Sequence, residues 1–139
     1  MVDFIWIPII PTSILLGIFQ LIFVHKDEPF KGSHWFTHGF HILILMPIFM
    51  FAVFNVEMFL EVTGIAAQGW PLLSNVWVVR SIIGLIFGVK SYAISAVIKG
   101  GAGKGMHEGF LHILLMMVLV TTAPLYWPLV AQFLPDWAK

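Results

Sequence analysis

Six histidines are the residues of this chain best suited to chemistry, and all fall in two short stretches: His25, His34, His38 and His41, then His107 and His112. Imidazole ligates metals and haem iron and changes charge near neutral pH. On a helix, His34, His38 and His41 stand at i, i+4 and i+7 and share one face. Glu108 and His112 are four apart and share a face of another helix, whereas His107 lies off it. Two parallel helices would bring His38, His41, Glu108 and His112 together.

Three chemistries follow. The first is a metal site on His34, His38, His41, Glu108 and His112, since imidazole with carboxylate suits Cu, Fe or Zn. The second is haem b held by His41 and His112, the deepest pair, with Gly39 and Gly109 letting a macrocycle approach the backbone. The third is a proton or quinone site using neutral-range histidine. Against all three stands a plainer role, in which histidines near helix ends cap, meet lipid headgroups or bond a neighbour. No HExxH or Glu-x-x-His pattern, P-loop, dinucleotide fingerprint or nucleophile elbow occurs, and no serine has a base–carboxylate context.

The elements that must position these groups are apolar. The chain has 139 residues, 60% hydrophobic and 10% charged, with mean hydropathy +0.97. Soluble domains carry about 25% charged residues, and a chain this short cannot hide so much apolar surface inside itself. A bilayer removes the difficulty. Net charge is zero without a basic tail, which excludes nucleic acid as a partner. With no cysteine, disulfides, thiolate sites and cysteine nucleophiles are excluded. The first apolar stretch is expected to be a permanent helix and not a cleaved signal.

A spanning helix needs about 20 mostly apolar residues. Four stretches meet or approach that: about 8–24, 37–60, 74–98 and 106–129. Pro8 and Pro11 sit in the opening turns of the first, where a missing N–H costs little. Pro47 is expected to kink the second, and Pro124 falls near the far end of the fourth. The linkers are short, so the fold class expected is an all-α integral membrane protein, a four-transmembrane-helix up-down bundle in a single domain over 1–139. Lys31-Gly32-Ser33-His34 matches Lys104-Gly105-Met106-His107, which hints at two repeated helical hairpins.

Orientation follows from Lys26, Lys31, Lys99 and Lys104 in the first and third linkers, which place that side in the cytoplasm and both termini outside. Five of the six tryptophans fall near the outer face, as an interfacial belt would. Glu57 and Arg80 are expected to form an ion pair there, tying the second stretch to the third. Gly84 and Gly88 mark a small-residue packing face. Lys90 either snorkels to the inner interface or meets Glu108. The methionines read as core filler in preference to soft-metal ligands.

The function expected is an accessory subunit of a larger membrane complex, most readily an oxidoreductase, without catalysis of its own. Its partners would be larger membrane subunits and lipids, with a quinone as a further candidate. The alternatives are an electron-transfer subunit holding haem or a metal through histidines of the second and fourth helices, and a small transporter or channel. The almost wholly apolar midplane offers the last no obvious path.

Overall fold

A computed structural model describes residues 3–26, 34–98 and 110–136, with side chains described for 3–22, 40, 42–93 and 110–136. Among the described residues the fold is all helical, with six α-helices and no strand. They are α1 (Ile9–Lys26), α2 (His34–Phe54), α3 (Val56–Val62), α4 (Val76–Ile98), α5 (Phe110–Thr121) and α6 (Ala123–Ala131), with a 3₁₀ turn at Ala66–Gln68.

Local sequence accounts for the ends. Pro8 precedes α1 and Pro11 stands in its first turn, where no intrahelical N–H bond is lost. Asn75 caps α4, its Oδ1 accepting from the N–H groups of Trp77 at 2.9 Å and Val78 at 3.3 Å, which satisfies orphan donors of the first turn. Gly64 follows α3 with φ 72°, a left-handed conformation that costs a glycine nothing.

Two elements differ from the sequence expectation. The stretch expected as one helix over 37–60 is two, and the break falls at Asn55, with a bend of 62° between Ile42–Phe54 and Val56–Val62. The helix continues through Pro47. The stretch expected over 106–129 is also two helices, bent by 73° at Thr122. Pro124 stands at the start of α6, where its missing N–H is tolerated. Matching Gly39 to Gly109, the two breaks lie within a turn of equivalent positions. The two Lys-Gly dipeptides that suggested a repeat lie outside the described residues.

Contacts fix the direction of each helix. Asn55 meets Ile5, and a Cβ on Gly17 would lie 3.5 Å from Ile42, so α1 and α2 are antiparallel. Phe49 meets Phe87 edge-on, with ring centroids 5.2 Å apart, and Val53 meets Arg80, so α4 opposes α2. Gly84 faces Met117 and Thr121 while Gly88 faces Met117 and Ile113, so α5 opposes α4. α2 and α5 therefore run the same way, and they touch. The core between the hairpins holds Leu16, Met46, Met50, Val53, Phe87, Met116 and Val120.

Of membrane spans, the structure carries a coarser statement than the four expected. Val76–Ala93 is long and apolar enough to cross a membrane, and there are up to three such segments if each bent pair counts as one. Ile9–Ile22 of α1 is apolar but shorter.

Candidate functional site

The buried polar groups gather where the helices break. Arg80 is 7% exposed, in the second turn of α4. Its Nε donates to the carbonyl oxygen of Val53 at 3.2 Å, and its Nη2 reaches Glu57 Oε1 at 3.5 Å. The guanidinium also lies 5.1 Å from the ring centre of Trp77, a cation–π distance. Val53 belongs to the last turn of α2, where carbonyls lose their intrahelical donors. The arginine supplies one. Glu57, with its side chain 56% exposed, faces outward beyond it. The structure thus brings together Glu57 and Arg80, and adds a backbone contact and an indole to the pair.

Asn55 occupies the break itself and is 1% exposed. Its Oδ1 accepts from Ile5 N at 2.8 Å, and its Nδ2 donates to Ile5 O at 2.9 Å and to Phe51 O at 3.0 Å. The carboxamide pairs with the Ile5 backbone as one peptide group pairs with another. The segment before α1 is thereby tied to the α2–α3 break, and the Phe4 ring packs on Phe51 at 5.6 Å. Sequence reasoning missed Asn55. The signal was present, because it is the sole carboxamide in the apolar run from Ile42 to Val56, and polar groups at membrane depth have a reason to be there.

The second break is held similarly. Tyr126 Oη donates to the Leu119 carbonyl at 3.0 Å, and Thr122 Oγ1 donates to Val118 O at 2.7 Å. Both acceptors lie in the last turn of α5; the Val118 carbonyl also accepts the Thr122 N–H at 2.9 Å, and Tyr126 supplies a donor to Leu119 from outside the helix. Trp127 of α6 then meets Phe54 edge-on at 6.4 Å, so the two breaks are neighbours. Toward the other end, Gln20 Nε2 of α1 donates to Ser91 Oγ of α4 at 3.4 Å, both buried. Thr12 and Ser13 donate to the carbonyls of Pro8, just before α1, and Ile9, its first residue.

Gly84 and Gly88 both face α5. A Cβ at Gly84 would meet Thr121 Oγ1 and lie 3.2 Å from the Met117 carbonyl oxygen; one at Gly88 would meet the Met117 side chain and lie 3.4 Å from Ile113 Cγ2. Small residues here let two backbones approach.

Of the histidines, His34, His38 and His41 belong to the backbone of α2, and their side chains lie outside the described set, as does Glu108 altogether. His112 stands in the first turn of α5 with its Nδ1 shielded from solvent. Among the described residues no three His, Asp or Glu side chains gather as metal ligands would. Lys90 is exposed on α4. The described clefts are lined chiefly by apolar side chains; one of about 450 Å³ lies between the first residues, Phe54, Pro124 and Trp127. Comparison of the chain with protein-family models, with curated proteins and with solved structures yields no match.

Proposed function

We propose that this chain is an accessory subunit of a larger integral membrane complex, crossing the bilayer four times as α1, α2–α3, α4 and α5–α6, with both termini outside. The observation that carries this is the distribution of side chains. Every long helix turns large apolar groups outward, among them Ile14, Ile48, Leu85 and Leu115, while buried polar groups such as Asn55, Arg80 and Gln20 bond one segment of the chain to another. A water-soluble fold does the reverse with its surface. Lipid tails and neighbouring helices are the environment that accepts such an exterior. Interior polar groups that brace helices leave a scaffold, and bracing larger subunits is what a scaffold this small can do. The histidine-bearing end makes an oxidoreductase the favoured host.

The test is gentle solubilisation of native membranes followed by affinity capture of the tagged chain. Larger membrane proteins in fixed stoichiometry are the expected result. Recovery of a stable monomer with an activity of its own would overturn the reading. Thiol labelling of single cysteines at Thr63 and Lys104, in sealed vesicles, tests the topology: the two should label from opposite sides.

A second reading rests on His112, whose Nδ1 is turned away from solvent in the first turn of α5. With His41 on the parallel helix it would make a haem b or metal-binding electron-transfer subunit. A Soret band in the purified protein supports that reading, and its absence together with metal-free elemental analysis removes it.

A further inference from the structure

We infer that α3 lies in the headgroup layer of the outer leaflet as an in-plane anchor, with its Phe59 flank on the acyl chains and its Glu57 and Glu61 flank toward water. This rests on the membrane reading above, and it sets where the second span ends. α2 alone has 21 residues, about 31 Å at 1.5 Å per residue, against a hydrocarbon core of about 30 Å. It therefore reaches across without α3. The seven residues of α3 run about 10 Å along their own axis, of which the 62° bend leaves about 5 Å along the line of α2. Level agrees with length. Arg80, in the second turn of α4, reaches the Val53 carbonyl at the end of α2. Trp77 stands exposed one turn further out, where an indole meets headgroups.

The flanks of α3 fix which side looks down. The Phe59 ring packs on Phe51 with centroids 5.7 Å apart, and Phe51 stands one turn inside the break, so this flank turns back toward the bilayer. Val62, 78% exposed, extends it. Glu57 and Glu61 are four apart and share a face. Each lies two residues from Phe59, roughly 160° around the helix at about 100° per residue, so the carboxylates look away from the acyl chains. Val56 and Leu60, between the two flanks, are buried on the bundle. Carboxylates on one flank and apolar side chains on the other are what a helix lying in an interface needs. Full immersion would carry two carboxylates into hydrocarbon, which is costly. Full exposure to water would leave Phe59 and Val62 wet.

The full chain has no cysteine, so Phe59→Cys, Glu61→Cys, Val62→Cys and Leu85→Cys each take a single nitroxide label; Leu85 is on an exposed face of α4. In phosphatidylcholine vesicles, collisions with oxygen, which concentrates among acyl chains, are compared with collisions with a water-soluble nickel chelate. The oxygen-to-nickel ratio should be several-fold higher at 59 and 62 than at 61, and highest at 85. Circular dichroism checks that each variant has folded, and the exposed positions 61 and 62 carry the comparison if Phe59→Cys has not. A uniformly high ratio over α3 makes it part of the span, and a uniformly low one puts it outside the membrane. Low access to both reagents at 59 and 62 means that a second copy of the chain covers that flank. Each of these overturns the inference. A low ratio at 85 fails the membrane reading itself, whereas a high ratio there without alternation in α3 fails only this inference.

Discussion

Arg80 donates from its Nε to the carbonyl oxygen of Val53 at 3.2 Å, so a side chain of α4 completes the last turn of α2. The same guanidinium reaches Glu57 at 3.5 Å, but the two partners differ in environment. Glu57 is mostly exposed, and an ion pair with an exposed partner contributes little. Arg80→Leu leaves the Val53 carbonyl without its donor and should cost about 2–3 kcal/mol. Glu57→Gln should cost under about 1 kcal/mol. Unfolding titrations in mixed micelles measure both, and equal losses would show that the ion pair, not the backbone contact, matters.

Asn55 makes three hydrogen bonds from one buried side chain. Two of them reach Ile5, and at about 0.6 kcal/mol for each such bond in membrane proteins Asn55→Leu should loosen the N-terminal segment by about 1.2 kcal/mol. The chain has no cysteine, so an Ile5→Cys variant gives a single labelling site. Thiol labelling there should speed up by about sevenfold in the Asn55→Leu background, at about 1.4 kcal/mol per tenfold. An unchanged rate means the segment is held by other contacts.

The two small residues of α4 are not equivalent. An added Cβ at Gly84 meets the short Thr121 side chain and presses on the Met117 carbonyl oxygen of α5, whereas at Gly88 it meets the flexible Met117 side chain. Gly84→Ala should therefore destabilise by about 1–3 kcal/mol, as overpacking does, and Gly88→Ala by less. Met117→Ala should relieve Gly88→Ala while leaving the cost of Gly84→Ala largely in place. A double-mutant cycle reads this directly, and relief of both to the same extent would contradict the geometry.

Tyr126→Phe removes the donor to Leu119 O at the second break. The expected cost is about 1 kcal/mol, and hydrogen exchange should rise in α6 before it rises in α4. Exchange rising uniformly over all helices would mean that the hydroxyl has no local role.

The apolar stretches were legible because hydropathy and period act over many residues, so errors at single positions average out. α1 and α4 begin at Ile9 and Val76, close to the expected starts, because Pro8, Pro11 and Asn75 act on their own backbone neighbours. The breaks were not. Pro47 is the residue that local rules single out, yet α2 passes through it, and the bend falls at Asn55. A break needs the freed carbonyls to be met from elsewhere, and the donors are Arg80, distant in the chain, and Tyr126, whose hydroxyl bonds back across Thr122. For the histidines, residue types and spacing were legible, but His34, His38, His41 and Glu108 offer no described side-chain geometry.

By itself the sequence determined that this chain is helical and apolar, because those properties are sums over local preferences. It also fixed which residue types are available for chemistry and which, such as cysteine, are not. Only the tertiary structure decided that two helices break near each other and that Asn55 reads the backbone of Ile5. Each of these depends on groups far apart in the chain meeting within a few ångströms, and no periodicity encodes which distant partner arrives.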